Sequence, residues 1–281
     1  MNKGHTSRDG RTQQQLEEHY RIEKELADRL RHATREERRR LYSIVYEELF
    51  AQLPRHPMLT RKASAEETAQ AVAGQMKLLK RFLTPETIFL EVGAGDCQLT
   101  FAAAKWVKKA YAVEVSSMIS ASATRPPNFE LILSDGVKID LPDRSVGVAY
   151  SNQLMEHLHP DDAFEQLCEI YRVLAPGGIY LCLTPNSLTG PHDISRYFDS
   201  VATGFHLKEY SIRELTSLFR SVGFSRLRFC FGVKGRFLPL PIPLYRLMEM
   251  FVYLFPASLR KIWSQRLPFR LYQDLRLLAV R

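Results

Sequence analysis

The sequence predicts an α/β protein whose mainly parallel β-sheet is covered by helices on both faces. Short apolar strands alternate with helices after Pro85, and this alternation implies right-handed crossovers between parallel strands. A glycine turn, Gly93-Ala94-Gly95, directly follows the first strand, and a second turn, Pro176-Gly177-Gly178, precedes the fifth. The 281 residues are enough for one large domain of this class with additional segments.

The predicted elements divide the chain into an N-terminal helical extension, residues 1–64, and a main domain, residues 65–281. Helical periodicity covers 12–53 in the extension, and the basic run Arg35–Arg40 there is expected to be a solvated helix face. Further helices are predicted over 65–82 (with Ser64 as cap), 98–107, 161–174 and 211–222. Strands are predicted over 87–92, 110–115, 129–133, 146–150, 179–183, 227–233 and 275–280.

Positive charge is concentrated near the C-terminus. The formal net charge is +8, but residues 226–281 hold 11 of the 39 Lys and Arg residues and only 2 of the 31 acidic residues. The remainder is close to neutral, which argues against a nucleic-acid-binding surface spread over the protein.

Cysteine spacing and hydropathy indicate a cytoplasmic protein. No apolar stretch approaches the length of about 20 residues that spans a bilayer, and the first residues lack the apolar core of a signal peptide. The four cysteines form no Cys-x-x-Cys pair and are expected to be reduced: Cys97, Cys168, Cys182 and Cys230.

The glycine turn at residues 93–95 is a candidate ligand-binding loop, because open parallel sheets bind ligands beyond the carboxyl ends of their strands. A nicotinamide-binding loop would need a third glycine at Gln98, and no Gly-Lys-Ser/Thr follows as in a P-loop. Glu91, at the end of the preceding strand, suits a cationic ligand better than a pyrophosphate.

Two more acidic residues end the neighbouring strands. Glu114 ends the second strand and could accept both hydroxyls of a ribose, whereas Asp135, before Gly136, could accept an adenine amino group. Each has an ordinary alternative, a solvated strand end for Glu114 and a turn residue for Asp135. Because both residues lie at the ends of adjacent strands, a ligand-binding role is favoured over these alternatives.

These motifs resemble those of class I S-adenosylmethionine-dependent methyltransferases, of the ubiquinone-biosynthesis and sugar-modifying type. The resemblance covers residues 65–232 and the last strand, with Cys97 in place of the third glycine of the usual motif. It implies a Rossmann-like sheet of seven strands in the order 3-2-1-4-5-7-6, with the last strand antiparallel. It implies S-adenosylmethionine as cofactor, bound by Glu91, Gly93, Ala94, Gly95, Glu114, Val115, Met118, Asp135, Gly136 and Asn152.

Three histidines on the expected acceptor side are candidate bases. An oxygen acceptor must lose a proton, and histidine titrates near neutral pH. His157 follows the fourth strand, and His192 and His206 follow the fifth. The alternative is that these histidines only pack or cap. No Asn/Asp-Pro-Pro-Tyr motif is present, which argues against methylation of nucleic-acid bases.

A metal ion is not expected from the sequence. Small-RNA 2′-O-methyltransferases hold magnesium with a Glu-x-x-Glu-His pattern and a later histidine. Here Gln153 replaces the first carboxylate before Glu156 and His157, although His206 could be the later histidine. The loss of an oxygen ligand weakens a site for a hard cation.

The predicted function is methyl transfer to oxygen, or less readily to nitrogen or carbon, of a small molecule or glycan. The alternative is a catalytically inactive cofactor-binding protein that acts as a complex or membrane-surface partner. A nucleotide-dependent dehydrogenase is a third, more distant interpretation.

The apolar and basic insertion at residues 234–272 is expected to be helical. It has three interpretations: helices packed on the sheet edge or the N-terminal helices, a lid over the acceptor, or a peripheral contact with anionic lipid.

Overall fold

The computed structural model describes residues 10–54, 65–115, 125–233, 236–256, 259–260 and 273–281. The helices are α1 (Gln13–His32), α2 (Arg35–Gln52), α3 (Ala65–Leu79), α4 (Gln98–Ala104), α5 (Pro160–Val173), α6 (Ile212–Val222) and α7 (Ile242–Tyr253). The strands are β1 (Ile88–Val92), β2 (Lys109–Glu114), β3 (Phe129–Leu133), β4 (Val146–Asn152), β5 (Leu174–Pro185), β6 (Arg226–Val233), β7 (Arg236–Pro241) and β8 (Asp274–Val280). Two short 3₁₀ helices cover Met155–His157 and Ile194–Tyr197.

The sheet has the predicted topology with one additional strand. Its order is β3-β2-β1-β4-β5-β8-β6-β7, with parallel pairing from β3 to β5 and antiparallel pairing from β5 to β7. The predicted seven strands correspond to β1–β6 and β8, and their predicted order is confirmed; β7 is the additional strand at the edge. The Pro176–Gly178 turn lies inside β5 as a bulge, because Val146 pairs with Leu174 and Val148 with Ile179.

Alternate residues of the central strands pack into two separate cores, one on each face of the sheet. Leu90 and Ala149 belong to the larger core, whereas Phe89, Val148 and Tyr150 belong to the core on the other face. Successive side chains of a strand point to opposite faces, so strands that are apolar throughout need cover on both. The prediction of helices on both faces follows from this pattern and is confirmed.

The insertion before β8 differs from the helical segment predicted for it. Its described part consists of the edge strand β7, paired antiparallel with β6, and then α7. Helix α7 buries Ile242, Tyr245 and Val252, and the Tyr245 ring lies 4.7 Å from that of Phe229. Beyond α7, residues 254–256 and 259–260 are described, and the Arg260 guanidinium lies 4.6 Å from the centroid of the Tyr253 ring, whereas residues 257–258 and 261–272 lie outside the described residues. Among the helices described, none combines the length and apolar character that crossing a bilayer requires.

The N-terminal helices share the larger core with the sheet. The helical stretch predicted over 12–53 is interrupted at Ala33, and Thr34 starts α2 with a capping box in which Glu37 is the partner. Leu26 and Leu30 of α1 and Val45 of α2 pack in the same core as Leu90. Ser64, the cap predicted for α3, lies outside the described residues; the predicted cap of α6 at Ser211 is confirmed.

A buried ion pair joins α2 to α5. Arg38 donates from Nε to Asp162 Oδ2 at 2.6 Å and from Nη2 to Asp162 Oδ1 at 2.8 Å. The Tyr42 hydroxyl donates to Asp162 Oδ2 at 2.7 Å and accepts from the His159 backbone N–H at 2.9 Å. Arg38 is only 5% exposed, so the prediction that the basic run is a solvated face is wrong at this residue.

The pKa of Asp162 reflects this pairing. Burial alone would raise it, but the hydrogen bonds from Arg38 and Tyr42 outweigh burial and lower the pKa. The pair therefore stabilises the fold above the pKa of an unfolded aspartate, about 3.9, and this contribution is lost as the pH falls through the lower folded value.

We predict that Asp162→Asn destabilises the protein by on the order of 3 kcal/mol at pH 7, because it removes the buried counter-charge of Arg38 and leaves only the exposed Asp161, 3.9 Å away. Urea unfolding followed by circular dichroism measures the change. The control is Arg21→Met, which breaks the exposed ion pair with Glu25 and should cost less than about 1 kcal/mol. Equal losses in the two variants would contradict the role of the buried pair.

Candidate functional site

A cavity of about 390 Å³ lies at the carboxyl ends of the parallel strands, beneath α1 and α2. We call it the central cavity. Its walls combine the glycine loop, the ends of β2, β3 and β4, and the inner faces of the N-terminal helices: Leu30, Tyr42, Ser43, Tyr46, Glu47, Phe50, Val92, Gly93, Gly95, Val113, Glu114, Val115, Ser134, Gly136, Gln153, Leu154, His157, Leu158, Gln166 and Phe205. A more open depression of about 540 Å³ along Arg39 and Arg172 contains none of the predicted site residues.

The glycine loop has the backbone conformation that its glycines allow. Gly93 and Gly95 have φ of 71° and 51°, in the left-handed region that favours glycine. A Cβ at Gly93 would lie 2.9 Å from Leu154 Cδ1, whereas a Cβ at Gly95 would meet nothing within 4 Å. Cys97, in place of the third glycine, has φ of 60° and is fully buried. The loop thus leaves open space above Gly95, where a ligand can approach its backbone.

Glu114 lines the central cavity beside this open space. Its Oε2 accepts from the Gly95 N–H and its Oε1 from the Val115 N–H, both at 2.8 Å. Burial outweighs these hydrogen bonds and raises the pKa of Glu114. Each carboxylate oxygen accepts only one backbone donor here and can accept another, so the carboxylate suits a ligand with hydroxyl groups.

Glu91 is placed behind the glycine loop rather than in the cavity wall. It is 5% exposed and accepts a hydrogen bond from the Thr100 hydroxyl of α4. Burial raises the pKa of Glu91 to about 8, so its carboxyl group is largely protonated near neutral pH. The expectation of a carboxylate facing a cationic ligand does not match this position, and Glu91 instead supports the loop from behind.

Asp135 also does not reach the cavity. Its Oδ1 accepts from the Val137 N–H at 3.0 Å and the Lys138 N–H at 2.8 Å, and its Oδ2 lies 3.4 Å from Nη1 of Arg39. Asp135 therefore has the position of a turn residue, which was the alternative to adenine binding. The adjacent Gly136 does line the cavity, with φ of 91°, and a Cβ there would lie 2.9 Å from Tyr42 Cδ2.

The remaining predicted cofactor residues divide between the cavity and its surroundings. Val115 lines the cavity. Ala94 is buried in a small cluster with Cys97, and Asn152, whose backbone pairs with Leu183, is not part of the cavity wall. Met118 lies outside the described residues. The structure therefore brings together Gly93, Gly95, Glu114, Val115 and Gly136.

His157, one of the three candidate bases, lines the central cavity. Its Nδ1 lies 3.1 Å from the Phe205 carbonyl oxygen and 3.2 Å from the Tyr46 hydroxyl. A carbonyl can only accept, so Nδ1 carries the proton and Nε2 keeps its lone pair. Burial, with a smaller effect of His206, lowers the pKa of His157 to about 3, so the ring is neutral near pH 7.

His206 and Glu156 lie next to His157. The His157 and His206 ring centroids are 4.9 Å apart, and His206 Nδ1 lies 2.7 Å from Glu209 Oε1. Burial acts to lower the pKa of His206, but Glu209 and Glu156 outweigh it and raise the value. Glu156 is fully buried; burial raises its pKa to about 7, and its Oε1 has no hydrogen-bond partner.

His192, the third candidate base, is not brought to the cavity. Its Nε2 lies 3.1 Å from both the Thr189 hydroxyl and the Asn186 carbonyl oxygen, and its backbone N–H donates to Glu209. The ring helps to hold the loop that supports His206, as in the loop-packing alternative.

Sequence analysis missed the aromatic wall that α2 contributes. Tyr42, Tyr46 and Phe50 are spaced four residues apart, which places them on one face of a helix, and all three line the cavity. That spacing was the signal that could have identified them. Phe205 and Glu209, by contrast, have no spacing that distinguishes them in the sequence.

Comparison with known proteins identifies relatives over part of the chain. Residues 90–182 match the family described as Methyltransferase domain. A probable S-adenosylmethionine-dependent methyltransferase of Mycolicibacterium smegmatis is 36% identical over 100 residues, 36% of this chain and 37% of the relative. A probable S-adenosylmethionine-dependent methyltransferase of Mycobacterium tuberculosis is 31% identical over 142 residues, 50% of each protein. The chain thus matches half or less of the length of these curated relatives.

A structural neighbour shows the same fold over most of the chain. A chain solved in complex with a methyltransferase activator from Haloferax volcanii has a TM-score of 0.53 and 16% identity. The match covers 88% of this chain and 99% of that one. Both sequence relatives are described as S-adenosylmethionine-dependent, which agrees with the cofactor predicted from the glycine loop.

We predict that Glu114→Gln weakens binding of S-adenosylhomocysteine about tenfold or more, because a hydrogen bond to a charged group contributes roughly 1.5–3 kcal/mol. Isothermal titration calorimetry measures the affinity. Glu130→Gln, which removes an exposed carboxylate on the neighbouring strand, is the matched control and should bind normally. Unchanged affinity in Glu114→Gln would contradict the position assigned to the cofactor.

Proposed function

Because residues 90–182 match the family described as Methyltransferase domain and the sequence relatives are described as S-adenosylmethionine-dependent, we propose that the chain methylates an oxygen atom of a small molecule or glycan. The observation that carries the proposal is a single cavity lined by Glu114, by Gly93 and Gly95 of the glycine loop, and by His157. A cofactor and an acceptor bound in this cavity would share one enclosed space, which is the arrangement that direct transfer requires.

The residues of the cofactor side fit the predicted ligand. The open space above Gly95 and the accepting carboxylate of Glu114 suit a ribose, and Tyr42, Val92 and Leu158 offer apolar surface nearby. When bound, S-adenosylmethionine supplies an electrophilic methyl group on a positively charged sulfur. Because Glu91 lies behind the glycine loop and not in the cavity wall, we expect it to attract that charge less than the sequence alone indicates.

Proton removal from the acceptor is assigned to the cluster of His157 and His206. In transfer to a hydroxyl acceptor, the cofactor would supply the methyl group and its sulfur would keep the electrons of the broken carbon–sulfur bond, while the His157 and His206 cluster would accept the hydroxyl proton. His157 lines the cavity with its Nε2 lone pair available, and His206 lies beside it, held by Glu209. His192 is not assigned a role in proton removal, because it lies outside the cavity wall and holds the loop next to Glu209.

The rival proposal is a cofactor-binding protein without catalysis. The unpartnered Glu156 oxygen, next to a histidine of the cavity wall, favours the enzyme, because buried polar groups with a purely structural role are usually paired.

We predict that the protein binds S-adenosylmethionine and S-adenosylhomocysteine and transfers labelled methyl groups to a polar or amphiphilic component of metabolite extracts. His157→Ala should keep S-adenosylhomocysteine binding and lose transfer by about 100-fold or more, since a positioned proton acceptor contributes roughly 10²–10⁴ in rate. Failure to bind either cofactor form would overturn the proposal. Binding with no transfer from any extract would favour the rival.

A peripheral contact with anionic lipid is the second part of the proposal, and it depends on α7. One face of this helix is packed, whereas Leu247, Met250, Phe251 and Leu254 on the outside are exposed by 57–76%. The surrounding segment, residues 226–281, has 11 basic and 2 acidic residues. Exposed apolar side chains together with excess positive charge suit the surface of an anionic bilayer. No described residue of the insertion lines the central cavity, so the lid interpretation gains no support.

We predict that the protein co-sediments with vesicles containing phosphatidylserine and much less with neutral vesicles. Leu247→Glu with Leu254→Glu should lower binding at least about tenfold, because burying one leucine contributes roughly 1.5–3 kcal/mol. Val201→Glu, at another exposed apolar residue, is the control. Equal binding by the α7 variant and the unmodified protein would rule out this surface.

A further inference from the structure

We propose that Glu156, His157 and His206 bind a divalent transition-metal ion such as Zn²⁺ at the acceptor side of the central cavity. The proposal rests on the proposed function for the role of the ion, but not for its binding. The ligand atoms of the three side chains lie within 4.8 Å of one another. Ligands of a tetrahedral zinc lie roughly 3.4 Å apart at metal–ligand distances of about 2.0–2.1 Å, so small side-chain rotations complete the site.

The backbone holds the two segments of the site together. Glu156 and His157 lie in the 3₁₀ helix after β4, and His206 lies in the loop before α6. The Lys208 N–H donates to the Glu156 carbonyl oxygen at 3.2 Å, which fixes one segment against the other. The Arg31 side chain of α1 donates to the Thr203 and Gly204 carbonyl oxygens, both at 2.8 Å, and so holds the second segment from above.

Both histidines are oriented as metal-binding histidines usually are. Such residues donate one ring N–H to a carboxylate or backbone carbonyl and bind the metal with the other nitrogen. His157 Nδ1 is placed against the Phe205 carbonyl oxygen at 3.1 Å, and His206 Nδ1 against Glu209 Oε1 at 2.7 Å. In each ring Nε2 is the nitrogen left for a ligand.

Glu156 provides the independent observation. Its side chain is fully buried, and Oε2 accepts from the Thr184 hydroxyl at 2.9 Å, whereas Oε1 has no hydrogen-bond partner. A buried polar atom without a partner costs free energy that a folded protein normally avoids. Coordination of a cation by Oε1 would satisfy it.

The donor set selects the class of metal. Two imidazoles and one carboxylate with an open position suit zinc or iron(II), whereas magnesium prefers oxygen ligands. The sequence-based expectation of no metal rested on magnesium and on Gln153. In the structure Gln153 Nε2 donates to Asp274 Oδ1 at 3.3 Å, and the cluster forms without it.

The position of the site gives the ion a role in the proposed reaction. His157 belongs to the cavity wall, so an open coordination position on its side is accessible to an acceptor. A bound divalent ion lowers the pKa of a coordinated hydroxyl group. The cluster would then promote proton loss through the ion, with the histidines as ligands rather than as the base.

The test titrates the chelator-treated full-length protein with Co²⁺ and Zn²⁺. We expect one equivalent of Co²⁺ to produce the visible absorption of a four- or five-coordinate site and Zn²⁺ to displace it. Glu156→Gln and His206→Ala should each weaken binding more than about tenfold, and Glu209→Gln, a positioning variant, by roughly 10–100-fold. His32→Ala, at an exposed histidine of α1, is the control and should bind as the unmodified protein does.

Circular dichroism and S-adenosylhomocysteine affinity are measured on every variant, because they separate loss of the site from loss of the fold. No saturable Co²⁺ signal, or the same affinity in His32→Ala and the folded cluster variants, would overturn the metal site. Methyl transfer that persists after metal removal would leave the proposed function intact and remove the role of the ion. Metal binding without any S-adenosylhomocysteine binding would support the metal site and overturn the proposed function.

Discussion

The buried junction of Arg38, Tyr42 and Asp162 is the interaction on which the central cavity depends. A doubly covered parallel sheet alone leaves a cleft at its carboxyl edge, open to solvent. The junction attaches α2 to α5 and holds the aromatic face of α2 over that cleft, where Tyr46 contacts His157. Because a buried charge without its partner is costly, the helices are fixed in this position rather than loosely associated.

The same junction connects the two sides of the cavity. Tyr42 bonds to Asp162 and also packs against Gly136, while Tyr46, one turn later, contacts His157. Arg31 of α1 reaches the loop that carries His206. The N-terminal helices therefore contact both the wall around Gly136 and the loop that carries His206, through residues that are 94 to 173 positions apart in the sequence.

The sequence predicted well what local periodicity and strand-end position determine. The strands, their order and the glycine loop follow from apolar runs and turns, and Glu114 follows from its place at the end of β2. The sequence does not predict that the side chains of Glu91 and Asp135 point away from the cavity. Side-chain direction at the end of a strand depends on tertiary packing, which a sequence does not show. The edge strand β7 was missed because Pro239 and Pro241 argue against a strand, except at a sheet edge.

The burial of Cys97 has a consequence for the chemical safety of the cofactor. A sulfonium methyl donor reacts with thiolates, and this cysteine belongs to the very loop assigned to hold it. Burial raises the pKa of Cys97 to about 12, and the side chain stays a thiol that is directed at the Gly95 carbonyl oxygen, 3.7 Å away. Since the thiolate and not the thiol is the nucleophile, the loop is protected from alkylating itself.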